Sequence, residues 1–266
     1  KADRTARYEA KARQFGLDRF ETFIEGEYFP CEHKKGQRVR RRLLHSDPVY
    51  AAMIDSLDEN IGRVLDALER NGKAEDTVVV FTSDNGGLAT SEGSPTCNRP
   101  LAEGKGWMYE GGTREPLIVR WPKQIAAGST CAVPVTSPDF YPTLLDAAGL
   151  PARPQQHVDG QSILPLLRGE ATIDRDAIFW HYPHYGNQGG TPGSSIRQTD
   201  WKLIEFFEDG RRELYNLRDD IGESRDLAAE HPDIGRDLHE RLATWRESVE
   251  AKIPHRNADW DPRREL

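Results

Sequence analysis

One stretch of the chain, residues 77–122, contains the side chains best suited to carry out chemistry. A β-branched run leads straight into Ser83-Asp84-Asn85-Gly86-Gly87, and Lys105 follows between two glycines. In open α/β sheets, ligands bind in the loops beyond the carboxyl ends of the strands. Carboxylate and amide oxygens suit calcium or magnesium better than zinc, and a lysine acts on an anion as a compact point charge. The segment therefore predicts a hard metal ion beside an anionic substrate, with Asp84, Asn85 and Lys105 as candidate contacts.

The same residues also have a plainer interpretation. Asp, Asn and Gly are common turn formers, so residues 83–86 alone are more typical of an ordinary turn that ends a strand. Lys105 would then be a solvated loop residue. Only the wider sequence around them favours a site.

The spacing of apolar residues predicts the elements that position this segment. A helix is expected over 48–70 and a strand over 77–82, an order that fits a βαβ unit of a parallel sheet. Ser46-Asp47-Pro48 is typical of the start of that helix, with proline in its first turn. Further helices are predicted over 3–23, with an interruption at Gly16, over 139–148 and over 162–167, and residues 26–36 are predicted to form a loop.

The pattern changes after Gly169. Consecutive short strands and one closing helix indicate a small antiparallel α+β subdomain. The strands are predicted over 177–180, 195–197, 202–207 and 212–215, the hairpin turn over 208–210, and the helix over 232–249. We therefore predict one domain over residues 1–168 and a second over 169–266.

Longer motifs around the candidate site are highly specific in combination. They are Phe81-Thr82-Ser83-Asp84-Asn85-Gly86, Asn98-Arg99-Pro100-Leu101, Gly104-Lys105-Gly106, Tyr109-Glu110-Gly111-Gly112 and Arg114-Glu115-Pro116-Leu117-Ile118-Val119-Arg120-Trp121-Pro122. Together with flanking motifs between roughly Pro48 and Trp245, they make the sequence similar to the type I sulfatases. These are the calcium-dependent, formylglycine-using enzymes of the alkaline phosphatase superfamily.

The resemblance implies a fold, a metal and a compartment. The implied fold is α/β, an alkaline-phosphatase-like mixed or parallel sheet flanked by helices, followed by the small antiparallel subdomain. Asp84 and Asn85 would be ligands of calcium, with magnesium as the other choice, and Lys105 would contact the sulfate as a catalytic residue. The family resemblance further implies a periplasmic or secreted enzyme.

The nucleophile motif of the resembled family is absent. That motif is Cys or Ser, any residue, Pro, any residue, Arg, and its first residue becomes formylglycine. None of Cys31, Cys97 and Cys131 has proline two positions later, and Ser46 is followed by Tyr50 where Arg belongs. The chain also begins at Lys1, inside what resembles the middle of a sulfatase. We therefore expect a carboxyl-terminal portion that needs an amino-terminal half, with its formylglycine, to complete the site.

The net charge of −8 conceals an asymmetry, because residues 1–45 carry +5 and the remainder −13. The basic run, residues 33–42, is dense enough to contact a polyanion such as a sulfated polysaccharide. A solvated face, or a set of salt bridges to the acidic body, is the favoured alternative. Three scattered cysteines exclude a disulfide-dense scaffold, and free thiols are favoured over a Cys31–Cys97 bridge.

A second candidate site lies in residues 181–193, which combine histidines, tyrosines, amides and glycines. We interpret them as a loop, and such loops commonly carry recognition. His181 and His184 are candidate substrate-binding residues that can donate hydrogen bonds to a sugar, while a tyrosine stacks on it. A loop anchored by its aromatic residues is an equal alternative.

The predicted function is hydrolysis of a sulfate ester of a carbohydrate or aryl alcohol. The expected partner is a sulfated small molecule or glycan, with neither nucleic acid nor a membrane. Three alternatives remain open: a phosphatase or phosphonate monoester hydrolase of the same superfamily, a non-catalytic glycan-binding module, and a nucleic-acid binder with a basic arm.

Overall fold

The computed structural model describes residues 2–170, 172–255 and 257–259. It is a mixed α/β protein, as the sequence predicts. The helices are α1 (Ala2–Gln14), α2 (Pro48–Arg70), α3 (Glu110–Thr113), α4 (Phe140–Ala147), α5 (Leu164–Leu167) and α6 (Pro232–Ser248). The strands are β1 (Phe23–Tyr28), β2 (Arg38–Arg42), β3 (Val79–Thr82), β4 (Leu117–Arg120), β5 (Ile178–Tyr182), β6 (Gly193–Gln198), β7 (Trp201–Phe206) and β8 (Arg212–Asn216).

The chain forms two compact units, and each is discontinuous in sequence. The described residues of the first unit come from Lys1–Ser56, Ser83–Glu115 and Phe179–Leu266, and those of the second from Leu57–Thr82 and Pro116–Ile178. The segment with Asp84 and Lys105 therefore belongs to the same unit as β6, β7, β8 and α6. The division of the chain at residue 168 stays a prediction.

A four-stranded sheet in the order β5-β6-β7-β8 organises the first unit. Both β6–β7 and β7–β8 are antiparallel, and the predicted hairpin turn over 208–210 joins β7 to β8. Helix α6 contacts β6 and β7, and its residues Leu238 and Leu242 are buried. The small antiparallel α+β region expected from the sequence is confirmed.

The sheet also covers the segment that carries the candidate site. One core cluster joins Met108, which follows the Lys105 segment, to the sheet residues Ile204, Phe206 and Tyr215 and to Leu217. Burial of such side chains contributes about 1.5–3 kcal/mol each, before the entropy cost of ordering them. The position of Met108 ties the backbone around Lys105 to a rigid element.

The first unit also contains a strand pair that the sequence did not predict. Strands β1 and β2 pair antiparallel, with Phe23 opposite Arg42 and Tyr28 opposite Arg38, so the loop expected over 26–36 begins only after Tyr28. The guanidinium carbons of Arg40 and Arg42 lie 3.8 and 4.4 Å from the centre of the Phe23 ring. Arginine stacked on an aromatic ring stabilises a strand that its own polar sequence does not favour.

In the second unit, β3 pairs antiparallel with β4. The sequence predicted a parallel neighbour for β3. Its partner β4 is antiparallel instead, because the chain returns after Glu115 to lie against β3 in the opposite direction. Asp139, at the start of α4, is completely buried and accepts hydrogen bonds from the backbone of Thr136 and Gln161 at 2.8 and 2.9 Å and from Arg175. These bonds join α4 to the following loop.

All three cysteines are free thiols, so the structure contains no Cys31–Cys97 bridge. Cys31 and Cys97 are buried, whereas Cys131 is exposed. Within the described ranges, no helix combines the length and the apolar character that crossing a bilayer requires.

A buried ionic cluster lies beneath helix α3. Lys202, on β7, is completely buried, and its Nζ lies 3.0 Å from Oε1 of Glu110 and 3.0 Å from Oε1 of Glu223. Burial raises the pKa of Glu110, but Lys202 first and then Arg197 outweigh burial and leave that pKa below its ordinary value. For Glu223 burial dominates over Lys202, and its pKa is raised. One ammonium group therefore serves two carboxylates in a dry environment.

We predict that Lys202→Met destabilises the first unit by about 3–5 kcal/mol, because it leaves the buried Glu223 without the ammonium group and Glu110 with the longer contacts to Arg197 and Arg114, at 3.4 and 3.5 Å. The measurement is denaturant-induced unfolding at neutral pH. Arg218→Gln is the matched control, since Arg218 is 74% exposed in its ion pair with Asp200 and an exposed pair contributes at most about 1 kcal/mol. Equal stability of the two variants would contradict the assignment.

Candidate metal and sulfate site

Asp84 and Asn85 lie in the loop that follows β3. Asp84 is exposed and Asn85 is partly buried. The backbone N–H of Asn85 donates to Oδ1 of Asp84 at 3.0 Å, and Oγ of Ser83 donates to the carbonyl of Asn85 at 2.7 Å. These local bonds give the loop a defined shape while it presents one carboxylate and one amide oxygen, both hard ligands.

The two glycines after Asn85 allow this loop to pack directly on other backbone segments. A Cβ atom on Gly86 would lie 1.6 Å from the carbonyl oxygen of Gly111, in α3, and the N–H of Gly86 donates to the carbonyl of Gly112 at 3.3 Å. A Cβ atom on Gly87 would lie 2.8 Å from Oδ1 of Asn98. Gly86 and Gly87 are therefore required because neighbouring atoms approach too closely for a Cβ atom, and not because their backbone has a positive φ.

The side chain of Asn98 joins the Asp84 loop, residues 83–87, to the Lys105 loop, residues 101–108. Its Oδ1 accepts the N–H of Gly87 at 2.9 Å, and its Nδ2 donates to the carbonyls of Gly87 and Glu103, both at 2.8 Å. The N–H of Lys105 completes the connection by donating to Gly87 O at 3.2 Å. The candidate metal ligands Asp84 and Asn85 and the exposed Lys105 thus belong to loops that are hydrogen-bonded to each other.

The segment with the candidate sugar-binding residues lies against the Lys105 loop. A Cβ atom on Gly190 would lie 1.9 Å from the carbonyl oxygen of Gly106. Both Thr90 Oγ1 and Trp107 Nε1 donate to the carbonyl of Gln188, at 2.6 and 3.1 Å. The backbone of this segment is therefore anchored against Gly106 and by side-chain hydrogen bonds to Gln188.

The two histidines of this segment have different surroundings. His181 lies in β5 rather than in a loop, and its ring nitrogens lie 2.7 Å from Ser194 Oγ and 2.9 Å from the carbonyl of Lys252. His184 is exposed, and its ring packs edge-on against that of Tyr182, with 5.3 Å between the ring centres. Both nitrogens of His181 are occupied by anchoring contacts, whereas His184 is accessible to a ligand.

The charge balance near Asp84 suits a cation. Burial, followed by the neighbouring charges of Glu110 and Asp84, raises the pKa of Glu115 to about 7, although Lys202 opposes the shift. In addition, Oε1 of Glu115 is buried and has no hydrogen-bond partner in the described part of the chain. A divalent cation bound at Asp84 would offset this excess of negative charge.

The donor set is hard but incomplete. Asp84 and Asn85 fit a calcium or magnesium ion in ligand type, and the local charge fits it too. Among the described residues, however, no group of three or more His, Cys, Asp or Glu side chains could hold a metal ion. As metal ligands, Asp84 and Asn85 would fill only part of the roughly six to eight oxygen positions that calcium takes.

Two sequence profiles match the chain over more than half its length each. The family described as "Sulfatase" matches residues 4–150, and "N-sulphoglucosamine sulphohydrolase, C-terminal" matches residues 103–248. A sulfatase of Formosa agariphila is 41% identical over 224 residues, which are 76% of this chain and 40% of that protein. An N-acetylglucosamine-6-O-sulfatase of Bacteroides thetaiotaomicron is 36% identical over 183 residues, 67% of this chain and 31% of that protein.

Solved structures agree with these sequence matches. A protein in complex with its substrate D-glucosamine-2-N,6-O-disulfate is similar with a TM-score of 0.66 and 32% identity, over 78% of this chain and 41% of that one. Ps i-CgsB in complex with k-i-k-neocarrahexaose gives a TM-score of 0.66 and 30% identity, over 74% and 42%. A phosphonate monoester hydrolase of Silicibacter pomeroyi gives a TM-score of 0.55 and 25% identity, over 76% and 40%. The expected alkaline-phosphatase-like fold is confirmed.

The chain spans 40% of the length of the Formosa agariphila relative and 31% of the Bacteroides thetaiotaomicron relative. Both family profiles nevertheless match more than half of its residues, and they meet in the segment that carries Lys105. The chain belongs to the sulfatase family.

Proposed function

We propose that this chain is the carboxyl-terminal portion of an enzyme that hydrolyses sulfate esters of a glycan. The observation that carries the proposal is the Asn98 carboxamide, which binds the Asp84 loop and the Lys105 loop together. Candidate metal ligands and a cation on two hydrogen-bonded loops are suited to an anion that needs charge stabilisation on its oxygens. Among relatives, one is an N-acetylglucosamine-6-O-sulfatase, and one solved structure contains a disulfated glucosamine.

In this proposal Asp84 and Asn85 hold a calcium ion, with magnesium as the second choice. When bound, a divalent ion polarises a sulfate oxygen. The contribution of the chain itself is to fix the two oxygen ligands, through the turn at Ser83–Asn85 and the packing of Gly86 on α3.

Lys105 acts as the catalytic cation of this chain. Its exposed ammonium group offsets negative charge on the sulfuryl oxygens, and its backbone is held by the hydrogen bond to Gly87. His184 and Tyr182 contact the sugar, by a hydrogen bond and by stacking, since both are exposed and belong to the segment whose Gly190 packs on the Lys105 loop. His181, proposed from its sequence as a second sugar contact, would support that surface through Ser194.

The nucleophile, in this proposal, is a formylglycine in an amino-terminal half of the same enzyme. Exposed apolar side chains support the need for more protein. In the second unit, Leu57 and Val64 of α2 are 49% and 62% exposed, and Ile118 of β4 is 61% exposed. Large apolar side chains in such a series are typical of a surface that other protein covers.

The same observations weigh against the other functions. A phosphatase or phosphonate hydrolase of this superfamily shares the fold, but its relative matches with the lower TM-score of 0.55. A non-catalytic glycan-binding module does not require Asp84, Asn85 and Lys105 in joined loops. A nucleic-acid binder with a basic arm requires free cations, whereas two arginines of β2 stack on Phe23.

We predict that this chain alone does not hydrolyse an aryl sulfate in the presence of calcium, because it lacks the nucleophile. Joined to an amino-terminal half that carries formylglycine, it turns the substrate over, and Lys105→Ala lowers kcat at least about 100-fold. Steady-state release of the aryl alcohol is the measurement, with the exposed Lys35→Ala as control. Turnover by the chain alone would refute the half-site proposal.

We predict that Asp84→Ala weakens calcium binding by the complete enzyme at least about 10-fold, because it removes the charged ligand. Isothermal titration calorimetry with calcium, magnesium and manganese gives the affinities and the preference. Asp219→Ala is the control, since Asp219 is exposed and lies outside the site. Unchanged calcium affinity, or a strong preference for manganese, would contradict the assignment.

We predict that Asn98→Asp lowers kcat by about 10- to 100-fold, because a carboxylate keeps the acceptor for Gly87 N–H but faces two carbonyl oxygens. Asn71→Asp is the matched control: Asn71 is exposed and its Nδ2 donates to a single carbonyl, that of Ala67, at 2.7 Å. Kinetics and thermal unfolding are measured together. If both variants lost the same stability and Asn98→Asp kept full kcat, Asn98 would have no role in positioning the loops.

A further inference from the structure

Arg41, on strand β2, joins the basic run to the Lys105 loop. Its Nε donates to both carboxylate oxygens of Glu103, at 2.7 and 2.9 Å. Its Nη1 and Nη2 donate to the carboxylate of Glu27 at 3.0 and 2.7 Å. The guanidinium carbon lies 5.3 Å from the centre of the Trp107 ring. One side chain thus contacts residues two positions before and two positions after Lys105.

The ion pair of Arg41 and Glu103 is shielded from water. The Arg41 side chain is 20% exposed and that of Glu103 is 15% exposed. The backbone of Glu103 has φ +57°, a left-handed conformation that is uncommon outside glycine. Glu103 also offers its carbonyl to Asn98 at 2.8 Å. The ion pair and this hydrogen bond together fix an unfavourable backbone conformation next to Lys105.

A second cation of the basic run supports the loop that carries His184. Nζ of Lys34 donates to the carbonyl of Asn187 at 2.9 Å and to Ser91 Oγ at 2.8 Å. His33 Nε2 lies 3.0 Å from Oδ1 of the same asparagine. Lys34 therefore holds the backbone of the loop that carries His184, as Arg41 holds the Lys105 loop.

Not every cation of the run has such a contact. Arg40 is exposed, and among the described residues its side-chain contact is the ring of Phe23. Arg40 carries the same charge as Arg41 and is its neighbour on the strand. It is a natural control for any effect that depends on charge alone.

We propose that two cations of the basic run, Arg41 and Lys34, support the substrate site from within the protein: Arg41 is a positioning residue for Lys105, and Lys34 is one for the His184 loop. The proposal rests on the proposed sulfatase function of these loops. It gives the run a role inside the protein in place of a polyanion-binding surface. The forked, planar shape of the guanidinium group matters at Arg41, because this one group binds the carboxylates of both Glu103 and Glu27.

The test compares Arg41→Lys, Lys34→Met and Arg40→Gln in the complete enzyme. Hydrogen–deuterium exchange of the peptides that cover residues 101–108 and 183–190 reports on the two loops, and thermal unfolding reports on the whole fold. Kinetics with a sulfated glucosamine at several salt concentrations report on function. We expect Arg41→Lys to speed exchange over 101–108 and to lower kcat about 10- to 100-fold with little change in KM, because it displaces a group that acts in the transition state.

Lys34→Met should instead speed exchange over 183–190 and raise KM about 10-fold with kcat nearly unchanged. Arg40→Gln should leave both loops and both constants within about twofold of the unmodified enzyme. Unchanged exchange in the first two variants overturns the proposal even if the protein proves not to be a sulfatase. Faster exchange with full activity overturns the positioning roles. A salt-dependent rise in KM for Arg40→Gln as large as that for Lys34→Met would assign the run to external polyanion binding instead.

Discussion

The carboxamide of Asn98 is the interaction on which the candidate site depends. A single planar group accepts from one loop and donates to that loop and to the next. Without it, the two loops would lose three of the hydrogen bonds that join or order them and would rely on backbone contacts such as that from Lys105 N–H to Gly87 O. An amide is suited to this task because it is neutral and has a donor and an acceptor in fixed geometry. The loops that carry the candidate residues Asp84 and Lys105 are thus joined by an uncharged side chain.

The elements that hold this loop pair fall into two kinds. The four-stranded sheet supplies rigid apolar support through Met108. The contacts closer to the site are ionic or polar, with Lys202 below α3 and Arg41 beside Glu103. Ionic contacts of this kind are expensive to bury, and they stabilise only when geometry and partners are complete. The site thus combines an apolar base with directional polar contacts, which fix orientation more closely than apolar packing can.

The sequence predicted the regular elements well and the polar contacts poorly, for a physical reason. Helix α2 was predicted with its observed bounds because apolar spacing is local, and Pro48 marks its start. Strand β1 was missed because Glu25, Gly26 and Glu27 interrupt the apolar alternation. Its stability comes from arginines more than ten positions away, which stack on Phe23. Asp84, Asn85 and Lys105 could be named from their types and motifs. The bracing roles of Asn98, Arg41 and Lys34 could not, since their partners are 5 to 153 positions away in sequence.

The close approach of glycines in the site has a consequence for how such a protein can change over time. At Gly86, Gly111 and Gly190, no side chain can be introduced without moving the backbone, because a Cβ atom would lie within 2.1 Å of a carbonyl oxygen. Glycine is required at these positions for packing, not for catalysis. A descendant that lost its activity would still need the same glycines to fold. The glycine pattern therefore reflects shared architecture and does not by itself distinguish a working enzyme from an inactive relative.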